Sequence, residues 1–466
     1  MPRSTAFLGA SLLGVLLISG SVDAAPQTPS LIDAARSTDR DAVGRLLKQG
    51  VNVNAAEGDG TTALHWASHR DDVEIVDLLV RAGGNVNAAN DLGATPLWLA
   101  CLNGSPVVVR HLLQAGANVN VALTSGETPL MGAARSGNAD VVQQLLAKGA
   151  RTDVSGTRGQ TPLMWAVAQK HTAVVKLLID AGADVKARSK TWSQVMAVSP
   201  HGMLQYNRDI PHGADTALLF AARAGDLESA KLLVAAGADV NDTEAGGVTA
   251  TAMAAHAGFA ELVEFLLDKG ANPNPGEAGF TALHAAVMRR DERMVSALLA
   301  HGADPNAPVT KWTPTRRSSR DWNFNPELVG ASPYWLAARA THPGIMRLLA
   351  KAGANTRFVH HAEYHAGEPA EPRSQTTNAL MAAAGMGGGG PWVTVERAAR
   401  EATTLESVTL ALELGADVNG VNDDGRTALD NARLLRFESV EKFLLEKGAK
   451  AGAGNARQRP GPPVDR

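Results

Sequence analysis

Disulfides are absent from this chain of 466 residues, because it holds a single cysteine, Cys101. Cys101 lies among Leu99, Ala100 and Leu102, with no paired base to make it a nucleophile, and reads as a small core residue. An excess of charge of either sign is also missing: 44 Lys and Arg face 47 Asp and Glu, interspersed along the chain, for a net charge of −3. That balance excludes the basic surplus that drives binding to a phosphate backbone, so nucleic acid is not an expected partner. Beyond the N-terminus no apolar run reaches the ~18 residues that a helix needs to cross a bilayer, so stable membrane insertion is not expected. There is no G-x-S-x-G elbow, and nucleophilic catalysis finds no foothold. Aromatic residues make up only 4% of the chain, which makes their placement informative.

Periodicity is abundant. Gly50, Gly83, Gly116, Gly149 and Gly182 stand 33 residues apart, and the series continues through Gly237, Gly270, Gly302, Gly353, Gly415 and Gly448. A constant interval of this size marks a solenoid of stacked supersecondary units. Two phrases recur around each glycine. Thr95-Pro96-Leu97, Thr128-Pro129-Leu130, Thr161-Pro162-Leu163 and Ser332-Pro333-Tyr334 place a capping hydroxyl before a proline whose missing N–H costs nothing at a helix start. Alanines follow, as in Ala133-Ala134, Ala221-Ala222 and Ala337-Ala338, small enough for a short helix to press against its neighbours. The second phrase has apolar residues at i, i+1, i+4 and i+5, as in Val141, Val142, Leu145 and Leu146, and predicts a helix with one wide apolar face. The glycine then ends that helix, and Asp-Val-Asn or Asn-Val-Asn opens a turn. Helices this short are unstable alone, so stability must come from burial between successive units.

These phrases resemble the ankyrin repeat: GATPLWLA at Gly93 to Ala100, GETPLMGAA at Gly126 to Ala134 and GADVN at Gly237 to Asn241. The resemblance spans nearly all of residues 30 to 450 and implies an all-α repeat solenoid of about eleven helix-turn-helix-hairpin units. It further implies a non-catalytic scaffold for another protein, and a structural hydrogen-bonding role in the turn network for His65 and His284. The chain departs from the family pattern in a degenerate first copy at Pro29 to Ala35, and in Asn378, which replaces the capping threonine of the tenth.

Residues 1–24 read as a cleaved secretory signal: Arg3, an apolar core from Ala6 to Gly20, and Val22-Asp23-Ala24 with small residues at −3 and −1. The solenoid is then expected over 25–450 in the periplasm or secreted, with a disordered tail at 451–466; abundant Ala and Gly suit a GC-rich bacterial source. Charged first and last units keep the two ends of the stack soluble.

The period breaks in the C-terminal half and at its edge. Insertions are read at about Ser189 to Gly213, Val309 to Gly330 and His360 to Thr377, all at hairpin tips, and at Gly385 to Thr404 between the two helices of repeat ten. Loops on one edge of a solenoid carry binding, and the insertions hold Trp192, Tyr206, Trp312, Trp322, Phe324, Tyr364 and Trp392, with Arg316 and Arg317 as candidate clamps for an acidic group. These are the candidate partner-binding residues, expected to border the concave face lined by hairpins and first helices. The competing reading folds the rings back as local cores.

For metal, His360, His361 and His365 are weak candidates: on a helix His361 and His365 would share a face at i and i+4, but the order H-x-E-x-H is not the zincin H-E-x-x-H. Gly387 to Gly390 lacks the lysine and flanking strand of a phosphate loop and reads as a spacer, so no cofactor is expected. The alternative function is an enzyme or a metal- or small-ligand-binding module with its site built from the C-terminal insertions.

Overall fold

The computed structural model describes residues 30–196, 208–313, 324–366, 371–387 and 396–454. Helices follow one another in eleven pairs, numbered here as repeats 1 to 11. They open with α1 (Leu31–Arg36) and α2 (Arg40–Lys48), α3 (Ala63–His69) and α4 (Val73–Arg81), α5 (Pro96–Asn103) and α6 (Pro106–Gln114), and α7 (Pro129–Ser136) and α8 (Ala139–Ala147). Next come α9 (Pro162–Ala168) and α10 (Thr172–Asp180), α11 (Ala217–Ala224) and α12 (Leu227–Ala235), α13 (Ala250–Ala257) and α14 (Ala260–Asp268), and α15 (Ala282–Arg289) and α16 (Glu292–Ala300). The series ends with α17 (Pro333–Arg339) and α18 (Pro343–Lys351), α19 (Ala379–Ala383) and α20 (Arg397–Glu413), and α21 (Ala428–Leu435) and α22 (Glu438–Glu446).

Local chemistry starts both helices of a pair. The Thr95, Thr161 and Thr249 hydroxyls accept the N–H groups of Trp98, Met164 and Ala252 at 3.1–3.3 Å, and the Asn378 side chain does the same for Met381 at 2.9 Å. Second helices have their own caps, absent from the sequence reading: Asp39, Asp72, Asn138, Asp226 and Asp291 each accept an N–H three residues on, at 2.8–3.2 Å. The fifth residue after the first-helix cap is alanine in every repeat, from Ala35 to Ala432, and none of these is more than 1% exposed. Those alanines let each first helix close on the next, while Val108, Val109 and Leu112 and their counterparts fill the space behind. One apolar core runs unbroken from Leu31 to Ala449. Cys101 lies in it, and burial pushes its thiol pKa up, out of nucleophile range.

Asparagines staple neighbouring turns. The Asn54 side chain donates to the Gly83 carbonyl at 3.2 Å and accepts the Asn85 N–H at 2.7 Å. Asn87, Asn120, Asn274, Asn306 and Asn419 repeat the pair of bonds on their own neighbours. Asp153, Lys186 and Arg357 occupy the equivalent positions elsewhere and interrupt the ladder.

The insertions add strand to an otherwise helical stack. β1 (Trp192–Met196) pairs antiparallel with β2 (Arg208–His212), and β3 (Val359–Ala366) with β4 (Glu371–Asn378), each as a separate two-stranded sheet. Nor is the fourth insertion all loop: its Arg397–Thr404 portion is the first half of α20, which has 17 residues where other second helices have nine. Among the described residues no helix is long and apolar enough to cross a membrane.

Candidate interaction surface

The surface is built from the fourth residue after each first-helix cap. That position is half-buried in repeats 2, 3, 5, 6 and 7, as Trp66, Leu99, Trp165, Phe220 and Met253, and is Gly132 in repeat 4. In repeats 8 to 10 it is fully buried, as Ala285, Leu336 and Ala382. A stripe of half-buried apolar side chains, three of them aromatic, therefore stays open over repeats 2 to 7, with a gap at Gly132, and closes in repeats 8 to 10.

Cations order the open rings. The Arg36 guanidinium lies 4.6 Å from the centre of the Trp66 ring and is also paired with Glu57, which accepts the Trp66 indole N–H at 2.9 Å. That guanidinium, with the indole, holds the Glu57 carboxyl below its usual pKa range. Arg135 covers Trp165 at 5.4 Å, and Arg223 covers Phe220 at 5.5 Å while pairing with Asp215 at 2.7 Å. Rings held this way present area with few rotors left to freeze.

The stripe meets the first insertion at a cleft of 390 Å³ whose lining includes Arg158, Lys190, Trp192, His212, Asp215 and Phe220. Trp192 is 41% exposed; its ring stacks on His212 at 4.4 Å and carries Arg158 at 5.3 Å. Two glycines make this root possible. At Gly213, with φ +88°, an added Cβ would stand 2.1 Å from the Lys190 carbonyl, and at Gly159, with φ +75°, 2.5 Å from the Lys190 nitrogen. Arg188 ties the root to the next turn through the Ala214 and Thr243 carbonyls at 3.0 and 2.9 Å and an ion pair with Asp242.

The second and third insertions turn inward. Phe324, predicted as a partner-binding residue, is 1% exposed and packs on Phe280 at 5.0 Å and edge-on to His284 at 6.0 Å. The correction has a simple cause: bonds of 2.9 Å between Phe324 and Thr313 in both directions pin the insertion's ends together over repeat 8. Trp312 is half-buried beside them, and Tyr364 is half-buried on β3. Tyr206, Arg316, Arg317, Trp322 and Trp392 lie outside the described residues, as do residues 1–24.

The histidine cluster sits on a strand rather than a helix. Alternation along β3 puts His361, Glu363 and His365 on an exposed face and His360 on the opposite one. His360 is buried: its ring lies 4.3 Å from that of Trp335, its Nε2 bonds the Val329 carbonyl at 2.9 Å, and burial pushes its pKa down. The three weak metal candidates therefore do not converge, and among the described residues no group of three or more His, Cys, Asp or Glu is gathered to hold an ion. His65 and His284 lock the starts of α3 and α15, their Nδ1 atoms bonding Thr62 and Thr281 at 2.8–3.1 Å. Burial lowers the pKa of both, that of His284 to about 4.

The family described as ankyrin repeats, in three copies, matches residues 31–123, 108–189 and 212–309. The chain belongs to the ankyrin-repeat family. Among solved structures, the human ASB11 ankyrin repeat domain is 29% identical, with 53% of this chain and 99% of that one covered and a TM-score of 0.44. No curated protein matches the chain. Ankyrin-repeat domains generally serve as protein-binding scaffolds, and that use is separable from their fold. The open aromatic stripe, like the second-helix caps, is absent from the sequence reading. Its signal is there, since Trp66, Trp165 and Phe220 hold the same place in their repeats.

Proposed function

We propose that this ankyrin-repeat chain is a non-catalytic scaffold that works outside the cytoplasm and takes a protein partner on the open first-helix face of repeats 2 to 7 and the adjoining first hairpin. The observation that carries this reading is the run of half-exposed, cation-stacked rings ending at Trp192, which has the residue types and rigidity of interface anchors. In repeats 8 to 10 the equivalent surface is already occupied by the chain itself.

An affinity pull-down tests it, comparing mature Ala25 to Arg466 with a version in which residues 189–213 are replaced by an uninterrupted hairpin. Capture of a defined partner by the intact form alone is the expected result; equal capture by both would overturn the assignment of the surface. The location rests on the tripartite pattern of residues 1–24. N-terminal sequencing of protein recovered from the envelope or medium should begin at Ala25, and a mature protein beginning at Met1 would refute export by this route.

A further inference from the structure

The cleft at the root of the first hairpin is lined by one more cation than carboxylate. Its lining holds Arg158, Lys190 and Arg223 against Asp215 and Glu244. Arg223 is committed to Asp215 at 2.7 Å, and the Glu244 carboxylate accepts the Val248 N–H at 3.1 Å. Among the described residues Arg158 and Lys190 have no carboxylate partner, whereas Arg36, Arg40, Arg188, Arg293, Arg347 and Arg433 all do. The two cations leave the chain side by side, because the Lys190 N–H donates to the Arg158 carbonyl at 2.8 Å. Stacking over Trp192 orders the Arg158 guanidinium while leaving its N–H edge available for a carboxylate.

A second observation indicates polypeptide as the occupant. Among the described residues β1 and β2 pair only with each other, so the ladder is not continued by a third strand, and Pro211, which has no N–H, leaves β1 the edge richer in donors. The pair Trp192 and His212, which ends the hairpin ladder, is also the wall of the cleft, so groove and strand edges are continuous. An extended segment laid along an edge would continue the ladder and bring its side chains past the two cations.

We propose that this cleft docks an acidic, extended segment of a protein partner, with a carboxylate between Arg158 and Lys190 and the main chain paired to the hairpin edge. The assignment rests on the scaffold reading and names the partner's chemistry. Each exposed ion pair is weak, so recognition needs several contacts in register and is sensitive to salt.

The test is selection of a displayed random peptide library on the purified full chain, followed by titration of individual peptides against it and against R158A/K190A. Enrichment in Asp and Glu, with affinity about tenfold weaker in the double variant and falling as salt rises, is the expected result. Unchanged helicity and melting of the variant would show that it still folds. Binders without acidic enrichment, binders indifferent to the double variant, or no binders at all would overturn the proposal. Retention on polygalacturonate that needs the same two residues, without acidic peptides being selected, would overturn it too and give the cleft to an acidic glycan. Each of these failures leaves the scaffold reading to stand on the pull-down, which fails separately if no partner is captured.

Discussion

The first insertion and the next two begin from the same kind of place, a hairpin tip enriched in large rings, and reach opposite ends. The first stands away from the stack, with Trp192 41% and Val195 64% exposed. The second and third return to it and bury Phe324 and His360, each 1% exposed, against repeats 8 and 9. What differs is the receiving surface. Phe280 and His284 offer Phe324 an aromatic corner, and Trp335 offers His360 a flat face. The first hairpin root is instead held by glycines and by Arg188 bonded to carbonyls, contacts that fix its base without covering its rings. An aromatic insertion thus becomes core or stays exposed according to what the neighbouring repeat presents.

The sharpest way to break this comparison is to truncate the buried ring. Phe324→Ala should cost about 3–5 kcal/mol, the usual loss for a core phenylalanine. Because repeat stacks lose stability locally, the loss should appear as weakened hydrogen-exchange protection in repeats 7 to 9, with repeats 1 to 5 nearly unaffected. Uniform loss along the stack, or none, would mean that the second insertion is not part of the core.

Acid should distinguish the same two regions. His284 has its pKa depressed by burial from 6.5 to about 4, and burial lowers that of His360 as well. Above pH 6.5 such a histidine is neutral folded and unfolded, so its contribution is intact; as pH falls below 6.5 the unfolded chain takes up the proton first, and stability drops until about pH 4. For His284 the loss is on the order of 3 kcal/mol, since each pKa unit corresponds to ~1.4 kcal/mol. Melting followed from pH 7 to 4 should show loss around repeats 8 to 10 and, through His65, around repeat 2, before the repeats that carry no buried histidine, and His284→Gln should flatten the first of these while lowering stability at pH 7.

Much of this architecture was legible because its causes are local. A hydroxyl before proline, an alanine five residues after the cap and a glycine at a helix end each act within one turn of chain, and they recur often enough to average out exceptions. Contacts between distant residues were not legible. Asn54, Asn87 and Asn120 are plain in the sequence and read naturally as turn formers, yet their partners are the glycine carbonyls of the following repeat. The sequence leaves open whether Phe324 folds back, because Phe280 and His284 become its neighbours only after the repeats stack. In the histidine cluster a period of two was present in His361, Glu363 and His365, the alternation of a strand; weighing it as a helix kept His361 and His365 on one face but brought them about one turn apart, where the extended strand holds them roughly twice as far.

The staple ladder offers a smaller and more local adjustment to the open region. It is interrupted at Asp153 and Lys186, on either side of the fifth repeat, where the first hairpin emerges. Asp153 is instead paired with Arg151 at 2.9 Å on the surface, and a carboxylate has no N–H to donate to the Gly182 carbonyl. Asp153→Asn should restore that donor and stabilise the junction of repeats 4 and 5 by about 1 kcal/mol, the net worth of an ordinary hydrogen bond. Asn87→Asp should cost a similar amount at an intact step. Urea melts of the two variants should move in opposite directions, and a shift of the same sign in both would remove the ladder from the account of stability.

Trp192→Ala is the counterpart of Phe324→Ala and should have the smallest effect on folding. The ring touches His212 and Arg158 without entering the continuous core, so its removal should change stability by less than about 0.5 kcal/mol, as surface substitutions usually do. A partner captured by the open face should nonetheless be lost or greatly weakened, since central aromatic anchors carry most of an interface's energy. Equilibrium unfolding and the pull-down on the same preparation separate the two roles. If Trp192→Ala unfolds the hairpin root or lowers the melting midpoint as far as Phe324→Ala does, the first insertion belongs with the inward-folding ones, and the open end of the groove must be sought at Trp66 and Trp165 instead.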